Sequence, residues 1–210
     1  MPIKCLTQRQ RGLADLPHMF SLQTLTCILP FVGIALGHGL ITTPKPRAPG
    51  TATQAACGTG AYNTLKNDLT TPVEYALQAA DSGYKADACK LYFCKGYQFE
   101  DNKSNVARFS TGQVVPFQIN LRVRHTGYAN VSVVDLATQT TIGQPLVNWP
   151  VYASPTVVAN ETTFNVTVPD LGTKCITAGA CAIQWWWFGS SVKQTYESCV
   201  DFVTVPPPTV

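Results

Sequence analysis

The chain has 210 residues, 45% of them hydrophobic and 13% charged, which is enough apolar material for one domain with a substantial core and too little charge for a disordered chain. Its formal net charge is only +3. No Lys/Arg cluster interleaves with aromatic residues, and this argues against nucleic acid as a partner.

The first element is apolar. From Met19 the segment MFSLQTLTCILPFVGIALG reads as a signal peptide that ends in the small residues Ala35 and Gly37, so residues 1–37 are expected to leave and the protein to be secreted and extracellular. Lys4, Arg9 and Arg11 precede Met19. Translation therefore begins either at Met1 with a long charged region, or at Met19 with residues 1–18 an extension before the true start. Pro30 interrupts a run shorter than the roughly 18 apolar residues a membrane span needs, and no membrane association is expected.

Cleavage after Gly37 makes His38 the first residue of a mature domain over 38–205, with 206–210 a Pro-rich tail. A free α-amine beside an imidazole can chelate a metal through one residue. Nitrogen donors in a planar set suit Cu(II), so the chelate points to copper. A second histidine would complete three nitrogens. His18 leaves with the leader, and His125 is the one that remains.

Cys5 and Cys27 leave in the same way. The remaining Cys57, Cys89, Cys94, Cys175, Cys181 and Cys199 are an even number in a secretory context and predict three disulfides. Short spacing suggests Cys89–Cys94 and Cys175–Cys181 as local clips, leaving Cys57–Cys199; neither spacing is that of a structural zinc site. Sequons at Asn102, Asn130, Asn160 and Asn165 agree with secretion.

Leu40 and Ile41 predict a short strand that pins the new terminus, ended by Pro44, Pro46 and Pro49. Asn63 to Lys90 is the one helical region expected, with Val73, Tyr75, Ala76, Ala79 and Ala80 clustered and Gly83 as a stop. From Lys90 onward the reading is strands. LYFC is a short apolar run. QVVPFQINLRVRH alternates Val115, Phe117, Ile119, Leu121 and Val123 with polar residues, and continuing the alternation puts His125 on the inward face at the strand's end. YANVSVVDLAT, TTIGQPLVNWPVY, Asn160 to Val168, CAIQWWWFG and TYESCVDFVTV follow. Either Trp186, or else Trp185 and Trp187, belongs to the core. In an extended QTYESC, Gln194 and Tyr196 point the same way. The sum is an all-β, antiparallel sandwich of the immunoglobulin or fibronectin type, with long loops and one short helical region.

The HG start, the P-x-P-R-x-x-G segment, HTGYANVSVVD, the C-x-I-Q-W-W-W run and QTYESCVDF together resemble the fungal lytic polysaccharide monooxygenases, nearest to auxiliary activity family sixteen, which is often labelled a type-four chitin-binding domain. The resemblance implies a copper-dependent monooxygenase or peroxygenase that cleaves β-1,4-linked polysaccharide, cellulose first. Its metal ligands would be His38 through amine and side chain and His125 through its side chain. Tyr196 would stand in the axial position, and Gln194 would hydrogen-bond the oxygen species. Implied partners are a polysaccharide surface, an external electron donor, and dioxygen or hydrogen peroxide, acting on a monomer. The rival is a family of non-catalytic copper-binding look-alikes, which carry an aspartate near the copper and a lipid-anchor signal; the sequence displays neither.

Overall fold

The computed structural model describes residues 38–156 and 158–206. The leader with its His18, Cys5 and Cys27, and residues 207–210 of the tail, lie outside these. Among the described residues no helix is long and apolar enough to cross a membrane.

Two sheets face each other. One has three strands in the order β1 (His38–Thr43), β3 (Val114–Val123), β6 (Thr163–Thr167). The other has five, in the order β2 (Ala107–Ser110), β8 (Gln194–Val205), β7 (Cys181–Gly189), β4 (Gly127–Asp135), β5 (Thr140–Tyr152). Every pairing is antiparallel except β2 with β8, which is parallel. The sandwich is therefore as expected, with one parallel edge strand that the alternation did not announce.

Period-two patterning explains the core. Val115, Phe117 and Ile119 of β3 face Val131, Ile183, Trp185, Trp187, Val200 and Phe202 of the larger sheet, all buried. Trp185 and Trp187 are the inward pair, while Trp186 is half-buried on the outer face. The alternation in β3 decays toward its end: Leu121 is half-buried and Val123 37% exposed. β3 stops at Val123, so His125 sits on the loop beyond it rather than closing the strand. The cause is Arg124, whose side chain turns away to pair with buried Glu161 and to donate to Ser154 O at 2.6 Å.

Residues 44–106 build a cap on the outer face of β8. It contains α1 (Thr51–Asn67), α2 (Val73–Gln78) and three 3-10 turns at Cys94–Gly96, Phe99–Asp101 and Lys103–Asn105. α2 falls in the predicted region; α1 does so only by its last turn, from Asn63 to Asn67. α1 is interrupted at Gly58 (φ 75°) and offers no side chain of its own as an N-cap. Instead Asp101, about fifty positions later, accepts from the N–H groups of Gly50, Ala52 and Thr53 at 2.8–3.0 Å. LYFC is likewise no strand: Leu91 packs into the cap with Leu65, Val73 and Tyr97, and Cys94 opens a 3-10 turn.

The disulfides are Cys57–Cys89, Cys94–Cys199 and Cys175–Cys181. The last is as expected, and the other two correct the proposed Cys89–Cys94 and Cys57–Cys199. Cys89 points into the cap's own core beside α1, whereas Cys94 lies against β8. The P-x-P-R-x-x-G segment also proves structural. Arg47 makes a bidentate pair with buried Asp201, 2.7 Å to each oxygen, and donates to Tyr97 O, so the cap is tied to β8.

Candidate metal centre

Register brings the distant pieces together. β1 runs antiparallel to β3 with His38 opposite Val123, two residues before His125. Gly39 then lies flat on the tryptophan pair: a Cβ there would stand 2.9 Å from Trp185 Cη2 and 3.4 Å from Trp187 Cζ3, so the residue after His38 has to be glycine for the terminus to sit this close.

Trp187 is the hub of the site. The His125 ring stacks over it with centroids 6.5 Å apart, and the Tyr196 ring lies 4.2 Å away at 21°. Tyr196 is fully buried and donates its hydroxyl to Gln194 Oε1 at 2.6 Å; Gln194 Nε2 donates in turn to Tyr75 Oη at 3.0 Å. Burial, with Tyr75 and Glu74 alongside, pushes the Tyr196 phenol well above its ordinary range, so it stays protonated. Thus His125 and Tyr196 flank one indole, with Gln194 hydrogen-bonded to Tyr196 and Gly39, the residue after His38, lying against the same ring. Tyr128 does not join them, for it packs against Trp186 and Phe188 on the other face of the sheet. Tyr75 and Glu74, both from α2, were not foreseen. Glu74 accepts from Thr195 N–H at 2.8 Å, and only the packing of the cap on β8 could reveal either contact.

His38 is held from the other side by residues 68–70. Its Nδ1 lies 3.0 Å from Asp68 Oδ2 and 3.0 Å from Thr70 Oγ1, and Gly39 N–H reaches Thr70 O at 3.3 Å. The aspartate that the sequence did not display beside the candidate ligands is therefore present in three dimensions. Burial lowers the His38 pKa against the opposing pull of Asp68, with the charges of Arg122, Lys95 and His125 adding to the lowering. A neutral imidazole is the form that binds metal.

Lys95 and Glu197 lie beneath that turn, both buried. Lys95 Nζ donates to Leu69 O at 2.7 Å, between the two residues that touch His38, and its backbone N–H donates to Glu197 Oε2 at 2.8 Å. Burial pushes Glu197 up to about 8 and draws Lys95 down to about 8. A carboxyl whose folded pKa exceeds its ordinary 4.5 contributes most below pH 4.5 and loses that contribution as pH rises through about 8. The chain is accordingly expected to resist urea better at pH 5 than at pH 8, by about 2–3 kcal/mol, with Glu197→Gln flattening the difference. Lys95 acts in another window, restoring stability only as pH climbs from about 8 toward 10.5. His38, held below 6.5, opposes the trend only on the acid side of that pH.

The donor set fits copper. Among the described residues no group of three or more His, Cys, Asp or Glu side chains could hold a metal ion. Two imidazoles would need a main-chain nitrogen as their third partner, which a freed His38 amine could supply. A chelate through that amine would use Nδ1 of the same residue, the atom that Asp68 and Thr70 contact here.

A family model described as lytic polysaccharide mono-oxygenase, cellulose-degrading, matches residues 38–202. No curated protein matches the chain. Among solved structures, similarity is found to the cellulose-active lytic polysaccharide monooxygenase CelS2 in complex with copper (13% identity over 81% of this chain and 100% of that one, TM-score 0.42). A second is the Thermobia domestica enzyme in the Cu(I) state (14%, 80% and 98%, TM-score 0.39). A third is a lytic polysaccharide monooxygenase of Jonesia denitrificans (17%, 80% and 100%, TM-score 0.36).

Proposed function

The chain belongs to the family of cellulose-degrading lytic polysaccharide monooxygenases, and from that premise we propose that its copper is held by the His38 amine and imidazole together with the His125 imidazole. The enzyme is a copper-dependent monooxygenase acting oxidatively on cellulose- or chitin-type polysaccharide; cellulose is the substrate we favour. The observation that supports the site is the β1–β3 register, which sets His38 opposite Val123, two residues before His125. That the family match begins at His38 supports a mature terminus there. Secretion by a leader over 1–37, a monomeric state and an external electron donor complete the reading. The finer expectation of kinship to fungal auxiliary activity family sixteen finds no support in the comparisons, whose family model is the one described as lytic polysaccharide mono-oxygenase, cellulose-degrading.

Copper bound at these nitrogens supplies one-electron chemistry toward dioxygen or hydrogen peroxide. This chain's residues do the rest. Burial favours the neutral His38 imidazole, the form that offers a nitrogen lone pair. Gln194 Oε1 fixes the Tyr196 hydroxyl by accepting its hydrogen bond, so the phenol is a neutral neighbour of the site and not a phenolate. Tyr75 holds the amide from behind, and the stacked Trp187 and Tyr196 rings exclude water below it. Incubating the copper-loaded protein with cellulose, chitin and xylan plus a reductant, then analysing products by mass spectrometry, tests the reading. Oxidised oligosaccharides are expected from cellulose, and none from any substrate would overturn it.

One observation favours a second reading, that of a non-catalytic copper-binding protein: Asp68 stands beside His38 as in the look-alikes. Asp68→Asn separates the two. If Asp68 only competes for Nδ1, the substitution raises copper affinity about tenfold, the scale of neighbouring-group effects on metal sites. If Asp68 is itself a ligand, affinity falls. Calorimetric titration reads the sign directly.

A further inference from the structure

The sequons differ sharply in what surrounds them. Asn102 is buried, and its amide is fully used: Oδ1 accepts from Ala48 N–H at 2.9 Å, while Nδ2 donates to Ala48 O at 3.0 Å and Gln98 O at 2.9 Å. Asn130 is half-buried on the outer face of β4, paired directly across the sheet with Trp186 of β7. Its Oδ1 accepts from Ser132 Oγ at 3.0 Å, and Nδ2 donates to no group among the described residues. Two positions before it on the same face is Tyr128, 47% exposed, its ring 5.6 Å from that of Trp186 and 5.8 Å from that of Phe188. The core does not need these rings. Trp185 and Trp187 fill it, and the outer three stand partly in water.

We propose that Asn130 is an N-glycosylation site whose first N-acetylglucosamine lies against Trp186 and Tyr128, and that Asn102 stays unmodified because its amide ties the cap together. In the transfer, Asn130 Nδ2 forms a bond to C1 of a lipid-pyrophosphate-linked oligosaccharide. The C1–O bond to the pyrophosphate breaks, the lipid pyrophosphate leaves, and Nδ2 loses one proton. The geometry suits the sugar. Directly paired cross-strand Cβ atoms stand about 4.5–5.5 Å apart, and residues two apart on a strand about 7 Å, so a pyranose ring on Asn130 reaches both aromatic side chains. Its apolar C–H face covers ring surface that otherwise meets water.

This proposal rests on the secretory reading. The test is glycopeptide mapping of the full chain secreted from a eukaryotic host, with enzymatic release in heavy-oxygen water marking each occupied asparagine. Asn130 marked and Asn102 unmarked is the expected result. Asn130→Gln is then expected to lower Tm by about 2–4 °C and to increase acrylamide quenching of tryptophan emission, whereas trimming the glycan to its first sugar leaves both unchanged. Sugar on Asn160 or Asn165 with Asn130 bare overturns the proposal while secretion stands. No sugar at any sequon of the secreted chain overturns the proposal, and a chain that is not secreted overturns the reading beneath it. Sugar on Asn102 of the folded protein, or an Asn130→Gln variant that matches the glycosylated chain in Tm and quenching, overturns it as well.

Discussion

A chain that retains even one residue before His38 is expected to bind copper on the order of a thousandfold more weakly than the mature chain, as loss of one donor bond worth about 4 kcal/mol implies. The extra residue converts the His38 amine to an amide, which offers no lone pair until deprotonated. Two imidazoles then remain, and among the described residues no acidic or thiol group completes a set of three. Asp68 cannot rescue the chelate, because it addresses the same Nδ1 that the amine would close upon. His125→Ala is expected to cost a similar factor from the opposite side. Calorimetry gives the affinity, and the electron paramagnetic resonance spectrum reports the loss of nitrogen couplings without any turnover. Unchanged affinity in the extended chain would remove the amine from the ligand set.

Replacing Cys94 and Cys199 together by alanine is expected to lower the melting temperature by about 10–15 °C. The bond joins residues 105 positions apart, and closing a loop of that size removes roughly 4–5 kcal/mol of unfolded-chain entropy. A second loss accompanies it. Cys94, Lys95 and Gly96 hold φ values of 47°, 58° and 71°, and the first two carry side chains that disfavour this left-handed region. Without the disulfide, the Glu197 contact to Lys95 N–H is left as the main tie holding that turn to β8. Since Lys95 Nζ supports Leu69 O beneath the His38 contacts, copper affinity is expected to fall along with stability. Scanning calorimetry with and without copper separates the two effects. The Cys175–Cys181 pair, only 6 positions apart, is the control, with a much smaller drop expected.

The lesson of the cysteines is general for this chain. Spacing suggested Cys89–Cys94, yet those two side chains diverge at the cap's edge, one into the packing of α1 and the other onto β8. α1 was overlooked for a related reason. Its glycines and weak amphipathic stripe conceal it, and the carboxylate that satisfies its first turn comes from Asp101, across a fold that no local window sees. Asp68, Tyr75 and Glu74 belong to the same class of miss.

What the sequence determined by itself was everything that repeats along the chain or depends on residue type. The period of two wrote out β3 through Val115, Phe117 and Ile119, β5 and β7 matched their expected runs residue for residue, Gln194 and Tyr196 were legible as a pair on one face, and His38 and His125 stood out by residue type as candidate donors. Tertiary structure alone decided which side chains meet: that Trp187 lies under both His125 and Tyr196, that Asp68 stands against His38, and that Cys94 finds Cys199. Periodicity is set by backbone geometry within a few residues, whereas these meetings depend on strand register and on how a sixty-residue cap settles onto the outer face of β8, which the chain specifies only through the packing of the whole.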